Sequence, residues 1–370
     1  MEGPTTPAAA TRPEQAHEQP AQPEPQAQAA AKEKPERAQP TEPQQEQAAQ
    51  PEPQEQAAQE QIEAAAALIR ECDALLVCTG AGMGVDSGLG TFRGKNAGVW
   101  PPLLKRGLDF SEVSDPQWFE DDAHFAWAFW KFRHDAYTQA PPHRGYSLLR
   151  EWAEGKPHGL FSFTSNIDGH WFEAGVPEDR CWEVHGTVRH LQCTDDSCCA
   201  PPEPSAVGGE EVAAKDSART GSWPTADALA GLREDPETNR IVGGAEVLPR
   251  CRNCGGLARP NVLMFGDWNH ETTRSDAQEA AYEAWQREIA AAGPAPKVAV
   301  IEIGAGMAVP TVRMEAQHAA DQWNAPLIRL NLESPKVEHL KQPGVSIAMG
   351  ALEALVKIDE AMKRQPASSS

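Results

Sequence analysis

The stretch "CTGAGMGVDSGLGTFRG", residues 78–94, follows the apolar run Asp73-Ala-Leu-Leu-Val-Cys-Thr79 and carries six glycines. An apolar strand that empties into a glycine-rich turn is either a phosphate cradle or merely a turn. The strict dinucleotide fingerprint needs a third glycine at a fixed offset, which Gly80-Ala-Gly82 lacks. A second loop of the same kind, Gly304-Ala-Gly306, lacks it too. Phe92-Arg93 follows the first loop, and an arginine there suits a phosphate or a carboxylate.

Working outward, further apolar runs with strand character are Gly159–Thr164, Lys297–Ile303 and Pro326–Leu330. Helical patterns begin at Gln61 and recur over Arg274–Ala291 and Thr311–Trp323. Short apolar strands alternating with helices imply an α/β fold with a buried, mostly parallel sheet whose ligands sit at the carboxyl ends of the strands. Both glycine loops fall at such ends. Two regions break the alternation. Residues 98–145 form an aromatic-rich helical module, and residues 187–258 hold a cysteine cluster around a flexible insertion at about 200–240. The large part then comprises 61–97, 146–186 and 259–360, with a smaller part beside it.

The chain has 370 residues, and its first 60 are Pro, Gln, Ala and Glu-rich, with no large apolar side chain between Met1 and Ile62. Such a segment buries too little to order itself and reads as a disordered tail, as do residues 361–370. The formal net charge of −21 argues against direct nucleic-acid binding. No apolar run is long enough for a membrane span, and no secretory signal pattern precedes the fold, so an intracellular protein, cytoplasmic or nuclear, is expected.

Cys193-x4-Cys198 and Cys251-x2-Cys254 make two pairs, each able to grip one ion from one turn. Four thiolates suit a closed, structural zinc site, with Cys199 an alternative to Cys198. At another strand end stands Thr164-Ser-Asn-Ile-Asp168, which reads as a polar ligand site or an ordinary helix cap. His185 directly precedes Gly186, and a neutral imidazole there is a candidate general base or a satisfied structural histidine.

Together these residues resemble the sirtuins, the NAD-dependent protein deacylases, over about Ile62 to Ile358. Gly80-Ala-Gly82, Ser87-Gly88 and Phe92-Arg93 resemble the family's first NAD loop. Ser165-Asn-Ile-Asp168 with Ala174-Gly175 resembles its Gln-Asn-Ile-Asp segment, and His185-Gly186 its catalytic His-Gly. Arg259-Pro-Asn-Val262 with Phe265-Gly-Asp267 resembles its substrate-lining segment, in which Val262, Phe265 and Gly266 would meet substrate. Gly304-Ala305-Gly306 and Asn331-Leu-Glu333 resemble the second phosphate loop and the adenosine-ribose site, with Ala351 also against the cofactor.

The resemblance implies a Rossmann-like parallel-sheet domain and a smaller zinc-ribbon/helical domain, with NAD and an acyl-lysine protein or peptide entering the cleft between them. Asn166 would orient the nicotinamide ribose and Asp168 the carboxamide. The acyl oxygen would attack the anomeric carbon, with His185 as general base on the ribose hydroxyls. Zinc would hold the small domain only. This sequence departs from the family at Gly84 for Ser, Gly90-Thr91 for Pro-Asp, Ser165 for Gln and His170-Trp171 for Leu-His. Gly304-Ala305-Gly306 stands for Gly-Thr-Ser, which removes two hydroxyls. Two other functions fit the same scaffold: ADP-ribosyl transfer or NAD hydrolysis, and non-enzymatic NAD sensing.

Overall fold

Side chains of the run after Asp73 alternate between two buried faces, as a strand covered on both sides requires. In β1 (Ala74–Thr79), Leu75 and Val77 join one core while Ala74, Leu76 and Cys78 join another. The same alternation runs through β9 (Val298–Ile303) and β10 (Leu327–Leu330). With β2 (Leu160–Thr164), β3 (Cys181–Glu183) and β11 (Val345–Ile347) they make a parallel six-stranded sheet, ordered β11-β10-β9-β1-β2-β3. The computed structural model describes residues 53–91, 100–199, 221–293, 296–338 and 340–364.

Helix α1 (Pro53–Glu71), α6 (Arg144–Ala153) and α11 (Ala351–Lys363) cover one face; α9 (Thr273–Ala291) and α10 (Thr311–Gln322) cover the other. This is the three-layer α/β arrangement expected from the strand runs. Helix α1 starts at Pro53, eight residues before the expected start at Gln61. Gln, Glu and Ala are strong helix formers, so polar turns extend upstream of the buried stripe Ile62, Ala65, Ala66 and Ile69. The tail expectation is therefore corrected for residues 53–60 and, at the other end, for 361–363, which continue α11 with Ala361 buried in the core; residues 1–52 and 365–370 lie outside the described residues.

A second core joins the helical module to a small antiparallel sheet. The module is α2 (Pro101–Arg106), α3 (Phe110–Val113), α4 (Trp118–Asp121) and α5 (Ala123–Gln139). The sheet runs β5 (Ser222–Pro224), β4 (Gly186–Cys193), β8 (Ala258–Val262), beside the two-stranded β6 (Glu234–Asp235) and β7 (Arg240–Ile241). Residues 221–240, expected as part of a flexible insertion, instead pack: Trp223, Leu229 and Leu232 are buried against α5 and β4. Three apolar anchors spread over ten residues escape a composition reading dominated by small and charged neighbours. Residues 200–220 of that insertion lie outside the described residues. Short α7 (His170–Glu173) and α8 (Asp196–Cys199) complete the helices named here.

Among the described residues, no helix is long and apolar enough to cross a membrane.

Candidate active site and metal centre

The two glycine loops meet backbone to backbone. The Gly80 N–H donates to Ile303 O and the Gly82 N–H to Gly304 O, each at 3.0 Å. A Cβ on Gly82 would lie 2.6 Å from the Gly304 Cα, and one on Gly304, whose φ is +63°, would lie 2.5 Å from Gly82. The glycines are therefore required by loop-on-loop packing before any ligand is considered. These contacts also aim the remaining amides. In a planar trans peptide the carbonyl and N–H point in opposite directions. Gly80 O accepts from Met83 N–H and from the Asn166 side-chain amide, both at 3.0 Å, which turns the Ala81 N–H the other way. Gly304 O, held by Gly82, does the same for the Ala305 N–H. Ala305 O accepts from Asn331 Nδ2 at 2.7 Å and from Arg313, which directs the Gly306 N–H away from them. Ala81, Ala305 and Gly306 all line one cavity of about 990 Å³, and three amides aimed from two loops fit an anionic diphosphate.

A network of short side chains fixes the loop roots. Thr79 and Thr164, at the ends of adjacent strands, share a hydroxyl–hydroxyl bond of 2.8 Å. The indole of Trp171 donates to Thr79 Oγ1 at 3.1 Å, so the residue that departs from the usual Leu-His pattern buttresses the first loop.

His185 lines the same cavity, at the junction of β3 and β4. Burial lowers the affinity of its imidazole for a proton, partly offset by a hydrogen bond to the Ser165 main chain. The group is therefore neutral near pH 7 and able to take a proton. Gly186, at φ +70°, is obligatory: a Cβ there would sit 2.1 Å from Asn261 O on β8. Val262 and Phe265 form the cavity wall that follows β8. Their loop is shaped by Arg259 and Asp267, a buried two-pronged ion pair at 2.7 and 2.9 Å whose carboxylate also accepts the Met264 and Asn269 N–H groups. The two charged residues of the Arg-Pro-Asn-Val…Phe-Gly-Asp segment thus hold the loop.

Other expected site residues sit as follows. Ser165, Asn331, Glu333 and Ala351 line the cavity. Asn166 and Asp168 are buried and lie behind its wall, the first bonded to Gly80 O and the second accepting from the His170 N–H at 2.9 Å. Gly266 lies in the loop after β8, outside the lining. Phe92 and Arg93 lie outside the described residues. Sequence reasoning missed Asp86, which lines the cavity and caps α11 through the Leu352 N–H at 2.8 Å. It also missed Trp130, read only as core, and Arg313. Trp130 lines the cavity with its indole nitrogen buried and without a partner among the described residues.

At the far side of the small domain, the sulfur atoms of Cys193, Cys198, Cys251 and Cys254 lie within 4.8 Å of one another. The Cys193–Cys254 and Cys198–Cys251 separations are 3.6 and 3.8 Å, far beyond a disulfide and close to the edge of a tetrahedron with metal–sulfur bonds of about 2.3 Å. Backbone N–H groups of Asp195, Asn253 and Gly256 point at three of the sulfurs at 3.3–3.4 Å, an environment for thiolates. Burial pushes the Cys198 thiol up to about 12, whereas for Cys251 the surrounding N–H groups outweigh burial and hold it at about 7. The four cysteines fit a structural zinc ion, which would complete the set without an open position. The side chain of Cys199 lies outside the described residues.

The description "Sir2 family" matches residues 80–284 of this chain. The chain belongs to the Sir2 family. It is 29% identical over 204 residues to an NAD-dependent protein deacylase 2 of Pseudomonas aeruginosa, covering 55% of this chain and 65% of that protein. An NAD-dependent protein deacylase of Thermococcus kodakarensis is 28% identical over 225 residues, 60% of this chain and 70% of that one. Among solved structures, a Sir2 enzyme chain superposes with a TM-score of 0.52 at 24% identity, covering 82% of this chain and 98% of its own length. A Sir2 homologue in complex with NAD superposes with a TM-score of 0.51 at 20% identity, over 81% of this chain and 95% of its own. The likeness in fold covers a larger share of the chain than the residues matched by the family.

Proposed function

We propose that this Sir2-family chain is an NAD-dependent protein-lysine deacylase that transfers the acyl group to ADP-ribose and releases nicotinamide. The observation that carries it is the convergence of three features on one cavity: the amides of two glycine loops, the imidazole of His185, and the apolar wall at Val262 and Phe265. NAD supplies the electrophilic ribose carbon and the leaving nicotinamide. The amides of Ala81, Ala305 and Gly306 would bind its diphosphate, and Asn331 and Glu333, which line the same cavity, would hold its adenosine ribose. Asn166 acts through Gly80, fixing the peptide that presents the Ala81 amide. His185 would accept a proton from a ribose hydroxyl as general base. Val262, Phe265 and the neighbouring Gly266 receive the acyl-lysine segment of a protein or peptide. The cysteine site lies outside this cavity's lining, so zinc holds the small domain and takes no part in the chemistry.

The test is NAD-dependent release of nicotinamide from an acetyl-lysine peptide by the wild type and by His185→Ala. Loss of a general base costs about 10²–10⁴-fold in rate. Equal turnover by both proteins would exclude His185 as that base.

A further inference from the structure

Arg313 stands in the first turn of α10, nine residues after Gly304, and is largely buried. Its Nη2 donates to Ala305 O at 3.2 Å and to Ser334 O at 3.0 Å, and its Nη1 contacts the Met307 sulfur at 3.2 Å. One guanidinium therefore ties the second glycine loop to the segment after β10. Both segments line the cavity, Ala305 and Met307 from one side and Asn331 and Ser334 from the other. The guanidinium is itself held by charge. Glu302, fully buried on β9, lies 3.4 Å from Arg313 Nη2 and is gripped two-pronged by Arg329 of β10, both contacts at 2.8 Å. Arg329 and Glu302 are register partners across β9 and β10, so the pair is built into the sheet.

This loop, Gly304-Ala305-Gly306, carries no side-chain hydroxyl and offers a ligand only backbone N–H groups. We infer that Arg313 is the positioning residue that holds these amides in place. By drawing the Ala305 carbonyl toward α10 it fixes the plane of the Ala305–Gly306 peptide and holds the Gly306 N–H toward the cavity. A loop that lacks hydroxyl donors then binds diphosphate through rigidly held amides. Arg313 is not part of the cavity lining; its Nη2 is occupied by backbone oxygens and the buried carboxylate, while its Nε is buried without a partner among the described residues. The inference rests on the proposed NAD site. It adds a residue outside the glycine loop to the set that determines cofactor affinity.

The experiment compares the wild type, Arg313→Ala, Arg313→Lys and both variants combined with Gly306→Ser, all as the full chain. NAD binding is read by calorimetry, and the NAD KM and kcat by nicotinamide release. A Cβ at Gly306 meets no atom within 4 Å, so a serine there has room to restore a hydroxyl donor without strain. Arg313→Lys keeps a cation beside Glu302 and so guards against a variant that simply fails to fold, which melting curves monitor. The expected result is an NAD Kd and KM raised by about tenfold in the single variants, kcat changed little, and much of the loss recovered by Gly306→Ser. A general loss of stability would lower the fraction of active protein and kcat, and serine would not restore affinity. Folded single variants with wild-type Kd and KM, or a loss that Gly306→Ser leaves untouched, would overturn the inference while leaving the NAD site standing. Absence of NAD binding by the wild type would instead remove the proposed function, and the inference with it.

Discussion

The two glycine loops occupy equivalent positions at the ends of adjacent parallel strands, β1 and β9, yet they are held by different means. The first is fixed from inside the sheet: Asn166 bonds Gly80 O, and Thr79, Thr164 and Trp171 lock the strand ends beneath it. The second is fixed from outside, by Asn331 beyond β10 and by Arg313 on α10. In both cases the side chains bind carbonyls, and the amides opposite those carbonyls are what the cavity sees. A phosphate cradle is thus specified less by its glycines than by whatever holds its carbonyls, and two unrelated sets of donors reach the same end.

The most severe way to break the comparison is to separate the loops. In Gly304→Ala a methyl would collide with the Gly82 backbone at 2.5 Å, in a residue already at positive φ. Activity is expected to fall by at least about 100-fold, with a lower melting temperature, because backbone on both sides must move. Wild-type activity in this variant would mean that the loops do not touch in solution.

Removing metal probes the other end of the molecule. Chelation, or Cys251→Ser, is expected to release one zinc per chain and to destabilise the core shared by β4, β8 and α5, since four crowded thiolates repel without a cation. The glycine loops belong to the large sheet, so NAD affinity measured below the melting transition should change less than stability does. A protein that is purified without metal and melts identically after chelation would contradict a structural zinc site.

Smaller effects come from protons. For His185, burial lowers the pKa, so the form that accepts a proton persists to lower pH than for a free imidazole. The acidic limb of the kcat/KM profile should therefore have its midpoint below the ordinary histidine value of about 6.5. A midpoint above that value would contradict the environment described for the ring. His190 and His270 are each pushed down to about 4 by burial. Between that value and the unfolded value of about 6.5 the unfolded chain binds more protons than the folded one. These two groups therefore make stability fall as pH drops from about 6.5 toward 4, and His270→Gln should flatten the slope of melting temperature against pH in that window.

Much of this was legible in the sequence because burial writes itself in apolar runs. The strands β1, β2, β9 and β10 stand out since both their faces are covered, and the cysteine pairs stand out through spacing that only a shared ligand explains. The edge strands β3 and β11 did not, because three residues carry no periodicity. Helix α1 was cut short because its first turns bury nothing, and the ordered part of 221–240 was hidden by sparse anchors among small residues. Arg313 was missed for a different reason. Glu302 and Arg329 interrupt apolar strands, and nothing in one chain read linearly reveals that they meet each other and a third charge eleven to sixteen residues away. The site was read from its glycines and its histidine; the side chains that aim the amides emerged only with the sheet register.

The most direct test of the account is mass spectrometry of the products formed from NAD and an acetyl-lysine peptide. O-acetyl-ADP-ribose, nicotinamide and free lysine peptide in equal amounts are predicted, all lost together in His185→Ala. ADP-ribosylated protein, or free ADP-ribose without peptide deacetylation, would contradict deacylation in favour of transfer or hydrolysis on the same scaffold. NAD binding with no product of any kind would contradict catalysis altogether.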